Sequence, residues 1–227
     1  MSSRIASHGR PPARVRKEFI EGIIDFVFSH LALWRDELSR QKTEGEEELN
    51  AQLCRYLTEF ANKEERLFTF FHEARQGQRR RVDIATFELP SFEGRLYTND
   101  RNENLTVFEA KRLPAPEMHR MREYLTGEPG LSGGVQRFKA SVHGQAHTIS
   151  AMIGYIQQHD ATHFYNEING WIENLSTNPV DSLLWSTSEK LTALTVFDNG
   201  TARSVSLHPR QGIKEIVLHH LWVTMNQ

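Results

Sequence analysis

The sequence predicts an α/β fold, a mixed central β-sheet flanked by helices. Three observations predict it. Two long stretches near the start carry apolar residues at spacings of three and four, the mark of amphipathic helices. The middle of the chain alternates short β-branched or aromatic runs with turn-rich segments. After a predicted antiparallel hairpin, the order strand, helix, strand, helix calls for a mixed sheet with helices on both faces.

Residues 1–13 hold Ser, Gly, Arg and the pair Pro11-Pro12, and read as a mobile tail. Residues 14–45 read as an N-terminal accessory helix and its exit. From about Arg14 to Gln41, Phe19, Ile23, Val27, Leu31, Trp34 and Leu38 make one stripe. Ile20, Ile24, Phe26 and Phe28 widen it, which suits burial on more than one side, against its own core or against a second copy. Lys42 to Gly45 breaks the pattern. A second helix over Glu46–Asn62 turns Leu49, Leu53, Leu57 and Phe60 inward. Glu46, Glu47 and Glu48 crowd its first turn, where the helix dipole favours anions.

Leu67 to Ala74 reads as a strand, Gln76-Gly77-Gln78 as a turn, and Arg79 to Phe87 as the returning strand. Leu89 to Asn104 is a polar loop in which Glu93, Asp100 and Glu103 are expected to be solvated. Leu105 to Arg112 is a strand that Pro114 closes. Met118 to Leu125 reads as a short helix, and the glycines from Gly127 to Gly134 as a flexible loop that opens another helix at Val135. Such a glycine-rich helix start suits a phosphate. Ala151 to Ile156 is uniformly apolar, as a buried parallel strand is, and Gly154 permits close approach of a helix. Ala161 to Leu175 is helical. Leu191–Phe197 and Ala202–Leu207 flank the hairpin signal Asn199-Gly200, and Ile213–Val223 reads as a last strand. Residues 46–180 thus form the core and 181–227 a β-rich extension packed on it.

Bulk properties exclude several classes. The 227 residues contain no apolar run near the length of a membrane span and no signal-peptide core. One cysteine, Cys54, rules out an internal disulfide and a cysteine-rich zinc site, and its helical pattern makes it a core residue. A cytoplasmic protein is the expectation. The net charge of -2 argues against coating of nucleic acid by bulk charge, but not against a local basic rim around an acidic centre. His208, His219 and His220 read as sheet-surface histidines; neighbours on a strand face opposite ways, so the last two make a poor zinc chelate.

The chemistry concentrates in Thr106-Val107-Phe108-Glu109-Ala110-Lys111-Arg112. Alternation puts Glu109 and Lys111 on one face of the strand and Phe108 and Ala110 on the other. An acid and a base on an apolar strand fit either a solvated ion pair or a metal-dependent phosphodiesterase site. A second lone carboxylate, Asp83, lies in the strand beginning Arg80-Arg81-Val82. Val82-Asp83-Ile84 followed by Phe108-Glu109-Ala110-Lys111 resembles the PD-(D/E)xK nuclease superfamily, over a core of about residues 46–157. Val82 stands where the proline of the family's name would be.

The resemblance implies a restriction-endonuclease-like fold and a Mg2+- or Mn2+-dependent nuclease. Its catalytic set would be Asp83, Glu109 and Lys111, with the ion held by Asp83, Glu109, the Ala110 carbonyl and one of the first-turn glutamates, Glu48 being favoured over Glu47 and Glu46. Nucleic acid would meet Arg80, Arg81, Arg112, Gln136, Arg137 and Lys139. The substrate implied is DNA ahead of RNA, and the setting restriction or phage defence, as a homodimer or beside an ATPase or sensor subunit. A nuclease fold that has lost activity and serves as a scaffold or nucleic-acid binder is the alternative.

Overall fold

The computed structural model describes residues 11–226 except 44, 77–79, 92, 93, 99, 100, 128, 129 and 181. Most of the expected tail, the hairpin turn after Gln76, and Glu93 and Asp100 therefore lie outside the described residues. Among the described residues there are four α-helices: α1 (Ala13–Arg35), α2 (Glu46–Lys63), α3 (Gly134–Lys139) and α4 (Ala161–Thr177). The strands are β1 (Phe68–Gln76), β2 (Arg80–Glu88), β3 (Asn104–Leu113), β4 (Ile149–Ile156), β5 (Thr195–Val196), β6 (Thr201–Arg210) and β7 (Ile213–Thr224). They form one seven-stranded sheet in the order β1-β2-β3-β4-β7-β6-β5.

β3, β4 and β7 run parallel and the remaining neighbours antiparallel, so the sheet is mixed. β4 lies between two parallel partners and is buried along its whole length, which is why its sequence shows no alternation. One face of the sheet packs Phe108, Ala110, Ile153 and Tyr155 against Ile23, Val27 and Leu31 of α1 and Leu49, Leu53 and Leu57 of α2. The other packs Val107, Leu113 and Met152 against Phe138 and against Phe164, Ile168 and Ile172 of α4. No described helix is long and apolar enough to cross a membrane.

Several expectations change. α1 ends at Arg35, whose guanidinium is held by Asp36 and the Thr224 carbonyl, so Leu38 lies beyond the helix and is exposed. The C-terminal strands are no separate extension: β7 pairs with β4 and places residues 213–224 inside the main sheet. Of Leu191–Phe197 only Thr195–Val196 is strand. A Cβ on Gly154 would stand 2.4 Å from Trp222 Cδ1, so that glycine admits a side chain from β7, not a helix. Residues 118–125 form one 3-10 turn, Met118–Arg120, followed by turns.

His208 and His220 are fully buried, not on the surface. They belong to a chain of polar contacts that Glu189 orients. The Glu189 carboxylate is ionised: burial opposes its charge, but His208 and Lys139 outweigh that and hold the group below the usual carboxylate range. Lys139 Nζ donates to both its oxygens, at 2.8 and 2.7 Å. A carboxylate can only accept, so His208 Nδ1–H donates to it (2.7 Å). Burial keeps both imidazoles neutral by pushing their pKa values down. His208 Nε2 then accepts from Ser206 Oγ (2.7 Å), and Ser206 Oγ accepts from His220 Nε2–H (2.7 Å). His220 Nδ1 accepts from the Tyr124 hydroxyl (2.7 Å), which accepts from Trp222 Nε1–H (2.9 Å). Every proton in the chain has one place.

His147, also buried, has its pKa lowered to about 4 by burial and by the nearby charges of Arg16 and Arg210. The unfolded chain binds a proton at this position near pH 6.5. The folded chain does not bind it until about pH 4. Stability is therefore lost as pH falls from 6.5 toward 4, by up to about 3 kcal/mol from this group alone. Urea unfolding of wild type and His147→Gln at pH 7, 6, 5 and 4 isolates the contribution of this histidine. The variant should lose less stability on acidification, and parallel pH profiles would rule the assignment out.

Candidate active site

The site forms where β2 and β3 separate. Their ladder runs from Phe87↔Asn104 to Ile84↔Phe108 and stops there. Beyond it Ala110 N–H has no strand partner, and Asp83 Oδ2 accepts it at 2.7 Å. Two residues on, Arg112 N–H points the same way and meets Glu46 Oε2 at 3.3 Å. A strand residue turns its N–H and C=O to the same side, so the Ala110 carbonyl shares this fork with both carboxylates. Asp83 is turned into it by a local irregularity. β1 and β2 pair His72↔Ile84 and Ala74↔Val82, with Glu73 between them at φ 50°. Val82 and Ile84 pack in cores on opposite faces, whereas a regular strand would keep both on one.

Glu109 and Lys111 share a face of β3, as alternation requires, and both are buried. Lys111 Nζ stands 3.5 Å from Glu109 Oε1 and 2.7 Å from Glu46 Oε1. Arg137 Nη1, from α3, reaches the same Glu109 Oε1 at 2.5 Å. His143 Nδ1 lies 2.9 Å from Glu109 Oε2, close enough to favour the charge of the Glu109 carboxylate, but the two atoms are not aligned as a hydrogen bond. Burial works against ionisation of Glu109, yet His143, Lys111 and Arg137 outweigh it and lower the carboxyl to about 2. Burial likewise opposes the Lys111 charge, but Glu109, Glu46 and Asp83 hold the ammonium above its usual range. Asp83 moves the other way. Burial and then the Glu109 charge raise it to about 7, against Lys111 and the Ala110 N–H.

Among the described residues no trio of His, Cys, Asp or Glu side chains is set as a ready-made cation cage. The donors at the fork nevertheless fit a hard divalent ion. Glu109 Oε2 is buried without a hydrogen bond. Asp83 and Glu109 are close enough to repel one another, a conflict that a dication relieves. Asp83, Glu109, the Ala110 carbonyl and Glu46 are the oxygen donors available to it.

Other candidates are placed elsewhere. Glu48 is exposed, its carboxylate folded back over Gly45, so Glu46 and not Glu48 is the first-turn acid at the fork. The Arg80 side chain lies outside the described residues. Arg81 is exposed and paired with Glu73 at 2.5 Å, and Arg112 is half-buried beside Glu46. Gln136 is buried and accepts from Gly127 and Gly133 N–H, and Lys139 is buried on Glu189; neither can meet nucleic acid. Gly133 and Gly134 allow close packing, since a Cβ on the first would stand 2.3 Å from Thr126 Cα and on the second 2.4 Å from Met152 Cε. The N–H groups at this helix start are already taken, Gly133 by Gln136 Oε1 and Gly134, Val135 and Gln136 by the carbonyls of Glu123, Tyr124 and Leu125. Glu103 is half-buried and pairs with Arg16 at 3.1 Å. Sequence reasoning missed His143; its only signal was a histidine in the turn after the α3 pattern.

Lys111 is the shared counter-charge, so Lys111→Ala in chelator should cost about 3–5 kcal/mol, the usual penalty for stranding buried charge. Glu48→Ala should stay within about 0.5 kcal/mol of wild type. Equal urea midpoints for wild type and Lys111→Ala would refute the shared role. Comparison with family models, with curated proteins and with solved structures finds no match to this chain.

Proposed function

We propose that this chain is a metal-dependent nuclease of restriction-endonuclease-like fold that hydrolyses DNA phosphodiester bonds. The observation that carries the reading is the meeting of Asp83, Glu109 and Lys111 at the place where β2 and β3 part. Asp83 reaches the backbone of the residue between the other two, at Ala110 N–H (2.7 Å). Asp83, Glu109, Glu46 and the Ala110 carbonyl would hold the cation, which when bound would supply Lewis-acid stabilisation of the charge on the phosphoryl oxygens. Lys111 stays protonated and adds electrostatic stabilisation where negative charge builds up. Glu46 fixes the Lys111 ammonium at 2.7 Å. Arg137 binds Glu109 Oε1, which leaves Oε2, buried without a hydrogen bond, as the oxygen that would meet the ion.

One observation favours a second reading, a non-catalytic module. Glu109 has no solvent exposure, and its ion pairs are those of a closed structural cluster. The two readings differ in their response to metal. A working site raises the melting temperature in Mn2+, by the equivalent of about 2.7 kcal/mol at a hundred times the Kd, and Asp83→Ala removes that rise. A closed cluster shows no rise at all.

Catalysis is tested on supercoiled plasmid with Mg2+ or Mn2+. Wild type should nick it and EDTA should stop the reaction. Glu109→Ala and Lys111→Ala should each lower the rate by at least ~100-fold, and Glu46→Gln by about tenfold. A cleavage rate unaffected by Glu109→Ala or by EDTA would falsify the assignment, and cleavage of labelled RNA but not DNA would move it to RNA.

A further inference from the structure

His143 sits just past α3, and the chain doubles back to bring it there. Val142 and His143 N–H both donate to the Arg137 carbonyl, at 2.8 and 3.1 Å. Ser141 and Gly144 take left-handed backbone, with φ of 58° and 61°. A Cβ on Gly144 would stand 3.1 Å from the Phe138 ring, which limits that position to glycine or a shifted ring. The imidazole packs edge-on against Phe138, with centroids 6.3 Å apart, and is almost wholly buried. The turn therefore delivers Arg137 and His143 together to one carboxylate, one to each oxygen.

The two contacts differ in kind. Arg137 makes a hydrogen bond to Oε1. Across the carboxylate, His143 Nδ1 and Glu109 Oε2 are both buried, 2.9 Å apart, and neither has an aligned hydrogen bond. A buried donor or acceptor left in that condition is unusual in a folded protein. The separation has another meaning: two ligands at right angles around a divalent ion, each about 2.1 Å from it, stand about 3 Å apart. An ion beside this pair would satisfy both atoms at once.

We infer that His143 Nδ1 is a direct ligand of the cation held at Glu109, and that the centre is in consequence selective for a first-row transition ion such as Mn2+ over Mg2+. The inference rests on the metal-site reading above and deepens it. Mg2+ takes oxygen ligands and gives up water reluctantly. A nitrogen donor shifts the balance toward ions of the transition series, which accept imidazole beside carboxylate. His143 then carries its proton on Nε2, and Arg137, on Oε1, fixes the carboxylate so that Oε2 faces the ion.

The test uses the full chain stripped of metal with EDTA. Bound Mn2+ is read from loss of the free-ion electron paramagnetic resonance signal, and Mg2+ from competition. Wild type should bind Mn2+ at least about tenfold more tightly than Mg2+. His143→Ala should weaken Mn2+ by at least about tenfold and Mg2+ by no more than about threefold. His143→Gln, which offers an amide oxygen, should also lose the preference for Mn2+ and decides the matter if the alanine variant does not fold. A wild type without that preference, or Mn2+ affinity within threefold of wild type in the folded variants, overturns the inference. Plasmid cleavage separates the two levels. Selective Mn2+ binding without cleavage ends the nuclease reading and leaves the ligand assignment, whereas Mg2+-driven cleavage indifferent to His143 ends the ligand assignment alone.

Discussion

A carboxylate cut off from water is tenable only where other groups replace its hydration, and Glu109 is cut off completely. Its compensation comes from two elements: Lys111 on its own strand, and Arg137 with His143 from α3 and the turn after it. Lys111 is in turn shared, facing Glu46 from α2 and the field of Asp83 from β2. Four elements thus converge through charge at a point where apolar packing has given way. Remove one partner and the remaining charges are left buried in the wrong proportion, which costs more than the lost contact.

The fork between β2 and β3 is the backbone side of the same arrangement. A sheet that parts leaves N–H and C=O groups unpaired, and these need partners when buried. Here the partners are side chains of the site. Asp83 takes Ala110 N–H, and Glu46 takes Arg112 N–H. The acids that gather around Lys111 also terminate the ladder, so sheet geometry and site electrostatics are one solution. The shift of side-chain phase between Val82 and Ile84 serves it by swinging Asp83 into the gap.

Behind the site, polar groups are used as framework. α3 has only six residues, too few to hold its place by helix formation. It is fastened at consecutive positions: Gln136 clamps the N–H groups of Gly127 and Gly133, Arg137 binds Glu109, Phe138 enters the core, and Lys139 binds Glu189. The last contact joins α3 to the buried Glu189–His208–Ser206–His220–Tyr124 chain, in which each group has a single allowed role. A helix held on all sides presents Arg137 and the following turn to Glu109 with little freedom, as a charged centre needs.

Much of the fold was legible in the sequence because it rests on local periodicity. The stripe Ile23-Val27-Leu31-Trp34, the apolar run of β4 and the Asn199-Gly200 hairpin each report their own element. So does the sharing of one face by Glu109 and Lys111, since strand alternation is a property of the chain itself. The parallel pairing of β7 with β4 is a long-range matter and could not be read from Ile213–Thr224 alone. Nor could the rotation of α2, which turns Glu46 and not Glu48 toward Lys111, or the burial of Gln136, Lys139, His208 and His220, which polarity suggested would lie outside. By itself the sequence determined the long helices α1, α2 and α4 and most of the strands, the two that carry the acids among them, because those follow from spacing. Only the tertiary structure decided which side chains meet Glu109, His143 among them, because a buried charge selects its partners from whatever the packed elements bring within reach.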